Sequence, residues 1–361
     1  MMFPVRSAIR RTIVAASFCC VFSAMTWAAT AEPDQQAANR RAPLQHYDYF
    51  DIWSVNWEND AVVGTDKDYT NGFKVAVSTP FGHLEESSLP PWSYPVFEHL
   101  PVLRTAGGQR ALSLAIGQEI YNPDDTDRSE LIKDDRPYAG FTYLSAGFHA
   151  RRAERKDSWL FILGLIGPAS KAEDIQNMTH DLLGVDRTMG WDHQLGNEVT
   201  VDAAFESQWR LWSCAPAHAL GVALIPHAGV RLGTVRTYLN AGTELQLGWN
   251  LANNFASCPS AGQGCEIDST STLSAPQTNR FHFFITVDGK AVARDIFLDG
   301  NTFRNSHSVD KKNFVTEFTG GFSWQVGRAR VTYAYVYRSK EFTTQKDNPR
   351  YGSLTVSWAF C

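Results

Sequence analysis

From Trp53 onward the chain alternates apolar and polar positions with a period of two. Trp53, Val55 and Trp57 share one parity against Ser54, Asn56 and Glu58, and Phe73, Val75 and Val77 oppose Gly72, Lys74 and Ser78. The longest run places Val199, Val201, Ala203, Phe205, Trp209 and Leu211 opposite Thr200, Asp202, Glu206, Gln208 and Arg210. Leu245, Leu247 and Trp249 repeat the theme, and Leu354, Val356, Trp358 and Phe360 finish the chain. Such alternation predicts half-buried antiparallel strands, which a soluble sandwich would also show. Two features favour an all-β, antiparallel transmembrane β-barrel instead. One face carries bulky aromatics at strand ends, like an interfacial girdle, and the other carries charge at midstrand. The pattern yields about thirteen strands, but a barrel of this type needs an even number, so twelve is the expected count. The uncertain places are 219–251, where one long or two strands fit, and 287–297. The terminal run is similar to the C-terminal assembly signal of outer-membrane barrels, except that Cys361 follows the aromatic Phe360.

One segment breaks the period. After Gly167-Pro168, residues 170–183 carry Ile175, Met178, Leu182 and Leu183 at helical spacing. Ser170 with Glu173 three positions on reads as a capping box, and Gly184 as a stop. A helix between two barrel strands is expected on the rim or in the mouth, in an extracellular loop. Gln176 and His180, four apart, share a helix face distinct from that of Ile175, Met178 and Leu182.

The N-terminus follows another logic. Arg6, Arg10 and Arg11 precede an apolar run that ends in Ala29-Thr30-Ala31, which reads as a cleaved secretory signal peptide over residues 1–31. Cys19 and Cys20 would leave with it, and neither sits in a lipoprotein box. A polar arm over 32–45 and a barrel domain over 46–361 complete the organisation. Beyond the N-terminus no apolar stretch is long enough for a helical span, a test that barrel strands escape. A net charge of −5 and 43% hydrophobic residues exclude disorder and a nucleic-acid-coating basic protein. In an oxidising compartment Cys258 and Cys265 could close a small loop.

The candidate chemistry is concentrated in loops. Asn59-Asp60, then Asp66, Asp68 and Tyr69-Thr70-Asn71-Gly72, offer hard oxygen donors that suit Ca²⁺ rather than zinc. From spacing alone, a solvated acidic turn explains them better. A later loop carries Arg128, Lys133 and Asp134-Asp135-Arg136-Pro137-Tyr138-Ala139-Gly140. A cation there could complete an oxyanion site. The chain has no Gly-x-Ser-x-Gly elbow, phosphate-cradling glycine loop or zinc-spaced Cys/His set.

As an ordered set, the motifs resemble the outer-membrane lipid A 3′-O-deacylase family. They are Glu58-Asn59-Asp60, Asp68-Tyr69-Thr70-Asn71-Gly72, Asp135-Arg136-Pro137-Tyr138-Ala139-Gly140, Gly167-Pro168 leading to Gln176 and His180, Gly190-Trp191-x-x-Gln194, and Asp299-Gly300-Asn301-Thr302-Phe303. The resemblance runs from about Asp51 to the end. It implies a twelve-stranded outer-membrane barrel that hydrolyses an acyloxyacyl ester of lipid A near the outer leaflet, with Ca²⁺ polarising the carbonyl while a histidine activates water. It assigns His180 as general base with Gln176 beside it, and Asn59, Asp60 and Thr70 as site-lining and metal-proximal positions. Asp186 falls where the family has a glutamate, and Arg128, with Lys133 nearby, where it has a lysine. Arginine supplies that charge with different geometry. Arg128, Lys133 and Arg136 would then face lipid A phosphates. A barrel phospholipid esterase and a non-enzymatic pore are the alternative readings.

Overall fold

The computed structural model describes residues 49–60, 68–82, 89–104, 108–184, 186–214, 219–251, 255–257 and 279–360. The expected signal peptide, polar arm and Cys258–Cys265 pair lie outside these residues.

The alternating segments form one antiparallel sheet that closes on itself. Its strands are β1 (Ile52–Asn59), β2 (Asp68–Ser78), β3 (Gln109–Asn122), β4 (Ala139–Arg152), β5 (Arg155–Ile166), β6 (Glu198–Trp209), β7 (Trp212–Cys214), β8 (Leu220–Gly233), β9 (Arg236–Trp249), β10 (Arg280–Asp295), β11 (Phe314–Val326), β12 (Ala329–Arg338) and β13 (Arg350–Ala359). Sequential neighbours pair, and β1 pairs with β13. Among the described residues three short α-helices join them: α1 (Ser93–His99), α2 (Ala172–Leu183) and α3 (Ile296–Asp299). No helix among the described residues is long and apolar enough to cross a membrane.

The thirteen strand segments make twelve wall strands, because β6 and β7 are one strand broken by a bulge. Gln208 of β6 pairs with His227 of β8, and Trp212 of β7 with Leu224 of β8. Four residues on one side thus span three on the other, the two-against-one count of a β-bulge. The uncertain stretch 219–251 resolves into two strands, β8 and β9.

Side-chain polarity is inverted relative to a soluble sheet. Trp53, Ile116, Leu144, Leu163, Val199 and Ile285 stand exposed on the outer wall, where hydrocarbon is the matching solvent. The lumen holds the charges, and they are paired. Arg231 meets Asp202 at 2.6 Å, Arg236 meets Glu119 at 2.9 Å, and Arg338 meets Glu317 at 2.8 Å. Buried charges persist only with partners of this kind. The cavity bounded by Glu58, Tyr69, Tyr121, Arg236, Arg338 and Tyr351 is about 50 Å³, room for a few waters.

At the end nearest the chain termini both faces of the wall are covered. Phe97 of α1 packs outside, on Leu112 and Phe148, which share the outward parity of Ile116 and Leu144. Across the lumen, Gln246 Nε2 donates to the carbonyl of Phe255 at 3.2 Å, and Ser257 N–H donates to Glu244.

Candidate functional site

The site is built on the outside of the wall. Helix α2 begins at Ala172 with Lys171 at its N-cap, one residue later than the capping box at Ser170 predicts. Pro168–Ser170 forms a 3₁₀ turn, and Lys171, at φ 60°, makes the reversal into the helix. The polar tips of the wall take up the freed carbonyl. Gln118 Nε2 and Thr142 Oγ1 both donate to Ser170 O, at 2.9 and 2.8 Å. Both share the outward parity of Ile116 and Leu144. The helix therefore lies against the outer face of β3 and β4, not in the mouth. Gly140 makes this possible, since a β-carbon there would overlap the Ala172 methyl and the Ser170 hydroxyl.

This seat explains the faces of α2. Ala172, Gln176 and His180, spaced four apart, turn to the protein and are buried. Ile175, Met178 and Leu182 turn away, Leu182 being 85% exposed. An apolar stripe facing outward is continuous in kind with the lipid-facing wall below it, and the polar stripe is the one that packs inward.

The imidazole of His180 is 8% exposed, and its Nδ1 lies 2.7 Å from the main-chain oxygen of Asp186. A carbonyl can only accept, so Nδ1 carries the proton and Nε2 is left with its lone pair. The loop is shaped for this contact. Gly184, at φ 65°, turns the chain back with its N–H on the carbonyls of Asp181 and His180. Arg187 Nε then donates to Asp181 Oδ1 at 2.8 Å, and that hydrogen bond holds the Asp181 carboxyl below its ordinary range.

Gln176 is 3% exposed, and its Oε1 accepts from Trp191 Nε1 at 3.1 Å. The same N–H faces Thr188 Oγ1 at 2.8 Å. Trp191, at the start of the 3₁₀ turn Trp191–His193, packs with Ile120, Tyr138 and Ala172.

The register brings the first candidate motif to this corner. Asn59 lies opposite Asn71, and Asn71 opposite Ile120. That row crosses β1, β2 and β3 on the outer face, about 10 Å in two strand spacings, and ends under the base of α2. Asn59 shares the parity of Trp53 and Val55, so it belongs to the outer face and not to the lumen. Asp60, at the loop entry, is 1% exposed. Thr70 is the extra residue where the β2–β3 register shifts between Tyr69 and Asn71, a bulge beside the site.

Other candidates fall differently. Asp186 is an exposed residue, and its main-chain carbonyl is the group that meets His180 Nδ1. Arg128 and Lys133 are both exposed. The main chain of Arg128 lies against Gly190, next to Trp191, and Thr126 O accepts from Met189 N–H at 3.0 Å, so this loop edges the site. Arg136 does not face outward to phosphates as the motif suggests. It is 1% exposed, pairs with Glu341 at 2.6 Å, and sits over the rings of Tyr121 and Phe342. Burial alone would raise the Glu341 carboxyl, but Arg136 and Arg338 outweigh it and bring the group down to about 2.

The donor chemistry at the β1 corner fits a hard divalent cation. It consists of a buried carboxylate at Asp60 and the carboxamide of Asn59, with no thiol or imidazole at either position. Among the described residues no group of three or more His, Cys, Asp or Glu forms a cage. A cation here would rest on few carboxylates, completed by neutral oxygens and water.

Sequence reasoning missed the parts that hold the site. Trp191, Thr188 and the Gln118–Thr142–Ser170 seat carried no assigned role, although Gly190-Trp191 stood out as a motif. Their roles depend on contacts across loops that spacing does not reveal.

Fold and site together define an outer-membrane β-barrel that bears a buried histidine–glutamine pair on its lipid-facing wall. The family model described as outer membrane protein LpxR matches residues 15–360, and the chain belongs to that family. Among solved structures, LpxR from Salmonella typhimurium is similar in fold, with a TM-score of 0.69 and 18% identity over 86% of this chain and all of that one. The β domain of the Bordetella autotransporter BrkA follows at a TM-score of 0.41 and 9% identity, covering 87% of this chain and all of that one. No curated protein sequence matches the chain.

Proposed function

We propose that the protein is an esterase of the outer leaflet that releases the 3′-O-linked acyloxyacyl group of lipid A. The observation that carries this reading is the tautomer of His180, fixed by the Asp186 carbonyl so that Nε2 is free to accept a proton. A neutral imidazole held in this way is suited to general-base work near neutral pH. Water gives its proton to Nε2 as its oxygen attacks the ester carbonyl. The bond to the sugar oxygen then breaks, and that oxygen takes the proton back from His180. The products are a free acid and a sugar hydroxyl.

Location supports a lipid substrate. The helix bearing His180 and Gln176 shows Ile175, Met178 and Leu182 to the surroundings at the end of the lipid-facing wall. There an ester lies at the boundary between acyl chains and head group. Membership in the LpxR family favours lipid A over a glycerophospholipid. The filled, charge-paired lumen favours an enzyme over a pore.

Calcium, when bound, would supply Lewis acidity at the ester carbonyl, with Asp60, Thr70 and Asp186 as the residues to hold it and Asn59 beside them. For the developing oxyanion the reading takes Arg128 or Lys133 as the cation, and the main chain of Arg128 borders Gly190.

Mass spectrometry of lipid A incubated with the detergent-folded protein tests the reading. Loss of the 3′ acyloxyacyl mass in calcium, and not in a chelator or with His180→Ala, is the expected result. Release of fatty acid from glycerophospholipid alone would replace lipid A with phospholipid as the substrate, and no hydrolysis by folded protein would overturn the esterase.

A further inference from the structure

The indole of Trp191 faces two acceptors, Gln176 Oε1 at 3.1 Å and Thr188 Oγ1 at 2.8 Å. An indole nitrogen has one hydrogen and accepts nothing, so the Gln176 atom that meets it must be the oxygen. The amide is thereby oriented by chemistry, and its NH₂ points the other way. That NH₂ is buried, and among the described residues it has no hydrogen-bond partner. A buried donor left unsatisfied is destabilising, so one held in place invites an acceptor brought by a ligand.

Trp191 is itself immobilised. Its ring lies 5.2 Å from that of Tyr138 at 48°, and Ile120 and Ala172 complete the packing. Gly190 lets the chain press against the Tyr138 ring, where a β-carbon would overlap it. The indole therefore has little room to swing and release the amide. Gln176 lies one helical turn before His180 on the same buried stripe, so its NH₂ and the free Nε2 of His180 belong to one face of α2.

We propose that Trp191 is a positioning residue, which holds the Gln176 amide with its oxygen to the indole so that the NH₂ donates to an ester oxygen of the bound lipid. The inference rests on the esterase reading and adds to it how the donor is aimed.

The test is steady-state hydrolysis by the full-length, detergent-folded protein in saturating calcium, with kcat and KM measured separately. Trp191→Phe keeps the ring packing and removes the N–H. It should lower kcat on the order of tenfold with KM nearly unchanged, as misaimed groups do. In a Gln176→Ala background the same change should cost nothing further, because its effect passes through Gln176. Gln176→Glu, when ionised, still accepts from the indole but cannot donate, and should lose about a hundredfold in kcat while the barrel stays folded. An unchanged kcat in Trp191→Phe, an equal loss in the Gln176→Ala background, or an active Gln176→Glu would each overturn the proposal while the wild type remains an esterase. If Trp191→Phe fails to fold, Gln176→Glu still decides. A wild type that hydrolyses no ester overturns the esterase reading and this inference with it.

Discussion

His180 donates its Nδ1–H to the main-chain carbonyl of Asp186 at 2.7 Å, and Asp186 is itself an exposed residue. The partner that orients this imidazole is thus backbone, six residues beyond it, held by the Gly184 turn and the Arg187–Asp181 ion pair. Asp186→Ala should leave the pH profile of hydrolysis in place and act, if at all, on the calcium concentration needed for half-maximal rate. A pH–rate series at several calcium concentrations checks this, and a displaced acidic limb would assign the carboxylate to His180 instead.

Removal of the proposed base is a harsher change. His180→Ala should lower kcat by about 10²- to 10⁴-fold, the usual contribution of a positioned general base. The barrel should stay folded, because His180 lies outside the wall ladder. Rate measurement alongside heat-modifiable gel mobility separates loss of chemistry from loss of fold.

Gly140 is where α2 meets the wall. Gly140→Val would put branched carbon where Ala172 and Ser170 now sit, so the helix must lift while β4 keeps its pairing. Activity should fall by tenfold or more with folded barrel retained. Wild-type turnover in this variant would mean that α2 does not depend on that seat.

The Arg136–Glu341–Arg338 cluster ties two loops at the α2 end of the barrel. The Glu341 carboxyl is held down to about 2, below an ordinary carboxylate, so its stabilisation is complete above about pH 5 and is lost as pH falls toward 2. Glu341→Gln should destabilise the protein by about 3–5 kcal/mol at neutral pH, since it removes the carboxylate that pairs with the buried Arg136, while Arg338 keeps Glu317. Thermal unfolding from pH 7 to pH 2 should show the gap between wild type and variant constant down to about pH 5 and closing below it. A gap that does not depend on pH would place the effect elsewhere.

The proposed cation, with Asp60 as its buried carboxylate, should be sensitive to that residue. Asp60→Asn is expected to raise the calcium needed for half-maximal hydrolysis by at least tenfold while leaving the barrel's unfolding temperature without calcium unchanged. A calcium titration beside a melting curve reads both, and an unaltered calcium dependence would remove Asp60 from the metal.

Period-two alternation fixed the fold class in the sequence, because in a strand each side chain's face follows from its parity alone. Trp53, Val55 and Leu144 are lipid-facing for that reason, and Glu58 and Asp202 luminal. The twelve-strand count needed the pairing, since the bulge at 209–211 splits one wall strand into two pieces that differ by one residue of register. Helix spacing likewise put Gln176 and His180 on one face before any contact was known.

What tertiary structure alone decided is which surface that face meets. Nothing local says that α2 packs outside the wall, with Gly140 as its seat and Ser170 O as its anchor, or that its apolar stripe faces outward. Arg136 shows the same limit. The motif places a cation in an exposed-looking loop, and a glutamate 205 residues away draws it inside. Helical and strand periods are properties of neighbouring residues, whereas a buried ion pair, an oriented amide and a carbonyl that fixes a tautomer are made by segments that meet only when the barrel closes.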